Sequence, residues 1–197
     1  MKINYWLLNC LVLMIYCKRT DHKIQNPQVE LAKSHTAVAV NDSIDKNIEA
    51  NDRRLDIKMN RQTAYAKNGD VLTIQKYFDK GDSTKIVKLR YEYLTGKTKM
   101  EVVQYHYIDQ SISMIHEYQY DKTCKPDHQC MYESKIYLDH DTIFFGLERN
   151  ATGTPPIIEN ARYQTRPLNQ RDLESFLIKQ QNILHQYDSL QMRNDKL

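Results

Sequence analysis

The stretch Val87 to Tyr120, VKLRYEYLTGKTKMEVVQYHYIDQSISMIHEYQY, decides the fold. Apolar and aromatic residues alternate with charged and polar ones, the period-two signature of strands with one buried face. Gly96, and Asp109 with Gln110, interrupt the alternation where the chain must reverse. A three-residue loop from Thr95 to Lys97 pairs Leu94 with Thr98, and a two-residue turn at Asp109 and Gln110 carries the same face onward. That register gathers Val87, Leu89, Tyr91, Tyr93, Val103, Tyr105 and Tyr107 with Ile112, Met114, His116, Tyr118 and Tyr120. Lys88, Arg90, Glu92, Gln104, His106, Glu117 and Gln119 fall on the opposite, solvated face, because one residue of slip exchanges the two sets.

The same pattern extends in both directions. Six strands are expected: Val71 to Phe78, Lys85 to Leu94, Thr98 to Tyr107, Ile112 to Tyr120, Met131 to Leu138 and Thr142 to Glu148. Before them, Ile44, Ile48, Leu55, Met59 and Ala66 recur at steps of four and seven, which predicts a helix capped by Ser43 and ended by Gly69, although Leu55, Ile57 and Met59 also alternate as in a strand. After them, Asn169 can cap a helix whose Leu173, Phe176, Leu177, Leu184 and Tyr187 form an apolar stripe. The expected class is α+β, a six-stranded antiparallel meander packed by a C-terminal helix, with an N-terminal helix. Asn150 to Pro167, with Gly153, Pro155 and Pro156, reads as a long irregular connection. A Tyr-x-Asp pattern recurs every thirty residues, at Tyr77, Tyr107 and Tyr137, each time at a strand end. In the last hairpin Ile136, Leu138, Ile143, Phe145 and Leu147 make the better apolar face.

The start of the chain gives its address. A largely apolar run from Tyr5 to Tyr16 follows Lys2 and ends at Cys17, beyond which Lys18, Arg19, Thr20 and Asp21 open a polar stretch. The run is shorter than the about 20 residues that span a bilayer and fits the h-region of a secretory leader. A cysteine in this place resembles the bacterial lipoprotein signal, in which the thiol is acylated and heads the mature chain. Met14, Ile15 and Tyr16 depart from the usual Leu and small residues of that box, Tyr16 most clearly, so an ordinary leader cleaved elsewhere stays open. The organisation read from this is a signal peptide over 1–16, lipidated Cys17 with a flexible tether over 17–42, and one domain over 43–197. The tether reaches on the order of 28 Å. The relaxed box, the Tyr-ended hairpins and the flanking helices together resemble uncharacterised exported lipoproteins of Bacteroidota, over about residues 44 to 190. This resemblance implies attachment to the outer membrane, on its periplasmic or surface face, and carries no activity with it.

The 28 basic and 25 acidic side chains leave +3, or +2 once Lys2 departs with the leader. No basic stripe forms, which excludes nucleic acid as an expected partner. Cys124 and Cys130 remain as an even pair in an oxidising compartment and predict a disulfide across the intervening Pro126 turn. A metal site from both thiols and His128 lacks a fourth ligand, and neither metal nor cofactor is expected.

Fourteen tyrosines are the compositional excess. Tyr91, Tyr93, Tyr105, Tyr107, Tyr118 and Tyr120 are the candidate binding surface, since a ring with a polar tip suits peptide or glycan as well as a sheet interior. Ser111, Ser113 and Ser134 lack a nucleophile elbow, and five scattered glycines cannot cradle phosphate. The expectation is a non-catalytic envelope lipoprotein that binds or assembles with a protein, peptide or glycan, without a catalytic residue. The alternative is an exported hydrolase or metal-dependent enzyme using His106, Glu117 or the Asp139 and Asp141 turn.

Overall fold

The computed structural model of the chain describes residues 41–96, 98–125, 128–139, 142–154 and 156–194. The leader, Cys17, nearly all of the tether, and Asp141 lie outside these residues. Residues Ala37–Leu197 form one compact unit.

Helix α1 covers 41–52, so Asn41 and Asp42 are helical rather than tether, and Ser43 sits inside the helix rather than capping it. Eight strands follow: β1 Ile57–Tyr65, β2 Val71–Asp79, β3 Asp82–Thr95, β4 Lys99–Ile108, β5 Ser111–Lys125, β6 His128–Asp139, β7 Thr142–Gly153 and β8 Gln164–Thr165. A single 3-10 turn, Ile158–Asn160, lies between β7 and β8, and helix α2, Gln170–Asn194, closes the chain. Every strand pairs antiparallel with the next in order, without a crossover. The α+β meander with its C-terminal helix is as expected, but the sheet has eight strands rather than six.

Both additional strands have a physical reason. The helix predicted through Ala66 stops at 52, and β1 pairs with β2 along all nine of its residues. Continuing the helix would have left the outer edge of β2 with a row of unpaired backbone groups. The intervening turn is pinned by Arg54, which donates to Asp56 and to Asp79 at 2.7 and 2.8 Å, while Leu55, counted among the helix's apolar residues, is 90% exposed. Strand β8 has two residues, too few for any period to show.

The decisive feature is a bulge. Tyr107 pairs with Ile112 as the two-residue turn requires, but His106 then pairs with Met114, so Ser113 has no partner across the ladder. A bulge of this kind inserts one residue into one strand and turns every side chain beyond it to the other face. Asp109 and Gln110, at φ 50° and 68°, form the turn itself. Similar shifts occur at Tyr77/Phe78 opposite β3 and at Tyr137/Leu138 opposite β7. Each Tyr-x-Asp copy thus sits beside a register shift close to its hairpin turn. The third shift also divides the last hairpin: Leu138 pairs with Ile143, whereas Phe145 pairs with Tyr137 on the other face.

Both faces of the sheet are therefore covered in part. On the front face, α2 packs Leu173, Phe176, Ile183 and Tyr187 onto a row formed by Leu89, Tyr105, Ile115 and Ile136 and onto the neighbouring Ile74 and Val103. Asn169 Oδ1 caps that helix by accepting from the amides of Arg171 and Asp172 at 2.8 and 3.3 Å, and Asp172 returns the bond to the Asn169 amide at 2.7 Å. On the back face, Ile44 and Ile48 of α1 pack against Met114 and Tyr137. Tyr137 donates to Asp45 at 3.1 Å. The expectation of one covered and one wet face is corrected: His106, Val102 and Glu133, on the back face, are each less than 10% exposed.

Deleting Ser113 should keep the cooperative thermal transition, because it removes only the extra residue and leaves Met114 opposite His106 and Ile115 opposite Tyr105. Ser113→Ala keeps the chain length and should stay within about 0.5 kcal/mol of the parent protein. Circular dichroism melts of the two variants make the comparison, and loss of the transition on deletion would show that Ser113 is not the extra residue of the ladder.

Candidate functional site

The front face divides into rows that run across the strands. Helix α2 covers the row of Leu89, Tyr105, Ile115 and Ile136 and the next row of Tyr91, Val103, Glu117 and Ser134. At the boundary of this core Arg166 donates from one guanidinium nitrogen to Glu117 Oε2 at 2.7 Å and to Ser134 Oγ at 2.6 Å, with its head 5.6 Å from the ring centre of Phe176. The pair ties the connection after β7 to the sheet and gives two buried polar groups their partners. Gly146 lets that connection approach: a Cβ there would meet Leu168 at 2.5 Å and the Arg166 carbonyl at 3.0 Å.

Beyond this pair lies a cleft of about 510 Å³. Its floor is a third row, Tyr93, Glu101, Gln119, Tyr132 and Asn150, paired in that order from β3 to β7. A fourth row, Thr95, Lys99, Asp121 and Cys130, forms its rim. Cys124 and Cys130 are joined as a disulfide, with Cα atoms 5.9 Å apart, and both line the cleft. The long hairpin of β5 and β6 is what carries these rows past the end of the core.

The rings of the floor are anchored. Tyr93 donates to Asp70 at 2.7 Å, and Asp70 also accepts from the Gly96 amide at 3.0 Å and from Asn68 at 2.9 Å. The bond from Tyr93, followed by that from Gly96, holds the Asp70 carboxyl below its ordinary range, and the same bond pushes the Tyr93 hydroxyl up. Tyr132 donates to Glu148 at 3.3 Å. Lys99 pairs with Asp121 at 3.0 Å and Lys179 of α2 with Glu101, so the charges at the cleft are matched.

The six tyrosines proposed as one surface do not form one. Tyr105 and Tyr107 are core residues beneath α2; the Tyr105 hydroxyl donates to the Phe176 carbonyl at 3.0 Å, and Gln180 donates to the Tyr107 oxygen at 2.9 Å. Tyr91 is half-buried and stacks against Tyr93 at 6.5 Å. Tyr118 and Tyr120 lie on the back face, because the Ser113 bulge turns them there. Of the six, only Tyr93 stands in the floor of the cleft; Tyr120, in a back-face row with Met100 and Met131, borders it. Tyr132, Glu101 and Gln119 complete it and escape the sequence reading, since only the shifted register aligns them.

The histidines are rearranged by the same shift. His106 and His116, assigned to opposite faces, share the back face, whereas His106 and Glu117 lie on opposite faces. His116 Nε2 lies 2.8 Å from Glu133 Oε1, and Arg149 Nε donates to Glu133 Oε2 at 2.6 Å. Burial would raise the Glu133 carboxyl, but bonds from His116, Arg149 and Tyr163 hold it at about 2. The Tyr163 ring lies 4.4 Å from the Arg149 guanidinium, which fixes the connection between β7 and β8 to the back face. His106 is 6% exposed with its Nε2 unpartnered, and burial, then Lys88, lowers its pKa from 6.5 to about 3. No cluster of three or more His, Cys, Asp or Glu able to hold a metal occurs among the described residues.

No protein-family model, curated protein or solved structure matches the chain.

His106 makes stability depend on pH. Between 6.5 and about 3 the unfolded chain takes up a proton that the folded chain refuses, so stability falls as the pH falls. The slope is at most about 1.4 kcal/mol per pH unit. Glu133 acts only below 4.5, where its ordinary range begins, and its contribution is lost as the pH falls toward 2. Melts of His106→Leu from pH 6.5 to 5 should show a flatter profile than those of the parent; an identical slope would assign the effect elsewhere.

Proposed function

We propose that the chain is an exported lipoprotein, held to the cell envelope and most simply to its outer membrane by acylated Cys17, whose sheet domain binds an envelope protein, peptide or glycan without catalysing a reaction. The observation that carries this reading is the open row on the front face. Five strands are extended past the α2 core, and the side chains placed there are anchored rings, amides and matched ions. A cleft of this volume, with a few converging polar groups, is the ordinary form of a small binding site. The acidic groups next to it serve structure: Glu117 is held by Arg166 and Glu133 by Arg149. The hydrolase alternative has less to rest on, because His106 and Glu117 are separated by the sheet.

The leader supports the address. Among the described residues no helix is long and apolar enough to cross a membrane, and the proposed attachment is through lipid. A single lipidated terminus with two or more chains gives stable anchoring, whereas one chain gives marginal binding.

Two measurements test this. Intact mass of the membrane fraction should show a chain that begins at Cys17 and carries fatty acid, and Cys17→Ser should move the protein to the soluble fraction; an unmodified thiol at position 17 would end the lipoprotein reading. Crosslinking in intact envelopes should capture a partner with the parent protein and lose at least most of it with Tyr132→Ala, while equal recovery with both would remove the cleft from the binding reading.

A further inference from the structure

We infer that the cleft takes a neutral, hydroxyl-rich oligosaccharide, an inference that rests on the binding reading above and names its ligand. Three features of the floor point to this chemistry.

The first is the spacing and state of the rings. Tyr93 and Tyr132 stand in one cross-strand row with Glu101 and Gln119 between them. Three inter-strand steps separate the two rings, about 14 Å. Their hydroxyls are already used, on Asp70 and Glu148. What remains for a ligand is ring surface, which suits the C–H faces of a sugar and holds its place because the tips are tied down.

The second is the kind of polar group offered. Gln119 and Asn150 bring amides that make no hydrogen bond to any described residue, and each amide both donates and accepts. A sugar hydroxyl also does both, so an amide matches it whichever way it turns. A phosphate or carboxylate ligand would need an unmatched cation, and Lys99 and Lys179 are engaged by Asp121 and Glu101.

The third concerns a peptide. An extended peptide usually binds by adding a strand, with backbone hydrogen bonds to a free sheet edge. From Tyr93 to Tyr132 the floor lies on the face of β3 to β6, each paired on both sides, and only at Asn150 does it reach β7, whose outer side is paired with β8 at Leu147 and Glu148. Main-chain groups are therefore committed to the sheet, and only side chains meet the ligand.

The test uses the full-length protein in a detergent without a sugar headgroup, lauryldimethylamine oxide, so that the detergent does not compete. Maltotetraose, cellotetraose and chitotetraose are titrated by calorimetry, with tetra-alanine and inorganic phosphate as the charged and peptide comparators. At least one tetrasaccharide should bind saturably and the comparators should not. Gln119→Ala and Tyr132→Ala should each weaken that binding by roughly tenfold or more, and Gln104→Ala, on the back face of β4, should leave it unchanged. Melts of each variant establish that it is folded; Gln119→Ala removes only an exposed amide and keeps the test valid if Tyr132→Ala does not fold. Failure of all three tetrasaccharides to bind, or binding that Gln119→Ala leaves intact, overturns the inference. If the sugars fail while envelope crosslinking still depends on Tyr132, the binding reading stands and the ligand class is wrong. If both fail, the cleft is not a site.

Discussion

A single unpaired residue, Ser113, determines what each face of this sheet contains. Upstream of it the register follows the two-residue turn; downstream, every side chain of β5 has changed sides. Ile115 thereby joins Tyr105 and Ile136 in the core under α2, and Met114 goes to α1. Without the shift, Ile115 would face α1, and Glu117 would be placed away from Arg166. The bulge costs one pair of ladder bonds and is offset by apolar burial on both faces, at about 25 cal/mol for each Å² removed from water.

The two helices divide the work of covering. α2 is anchored at both ends of its contact with the sheet: Phe176 accepts from Tyr105 near its start, and Tyr187 lies within 5.7 Å of Lys76 near its end. Its path covers two rows of the front face and leaves two. α1 covers only the hairpin-turn end of the back face, and the segment through Ile158 and Tyr163 takes the next stretch. Strands of twelve to fifteen residues in β5, β6 and β7 are longer than either helix needs, and this excess length is what creates the cleft.

The buried ions tie the frame together. Arg166 reaches the front face and Tyr163 the back face from one short segment, because alternate residues of an extended chain point to opposite sides. The segment thus clamps the edge of the sheet between Glu117 and Ser134 on one side and Arg149 and Glu133 on the other. Each charge there has a partner, as buried charges must. Removing the pairing would leave a carboxylate uncompensated, which is the reason such clusters resist substitution even where they do no catalysis.

Much of the architecture was legible in the chain. Period-two alternation located all six central strands, because a half-buried strand must alternate whatever surrounds it, and the Asn169 cap and apolar stripe located α2 for the same kind of local reason. The even pair Cys124 and Cys130 foretold its own bond. What composition could not convey was the register. Val87, Ser113 and Phe144 look like any other strand residues, yet each is the extra residue beside a shift, and a bulge is chosen by how well both faces then pack. Strand β1 is left open for a similar reason: Leu55 and Met59 fit a helix by spacing while Leu55, Ile57 and Met59 alternate as in a strand, and only the need of β2 for a neighbour decides between the two. The row of Tyr93, Glu101, Gln119 and Tyr132 exists because of those choices. Local sequence determined where the strands and helices are; which residues meet across them was decided by tertiary packing, since apolar burial on both faces outweighs the loss of a regular ladder beside Val87, Ser113 and Phe144.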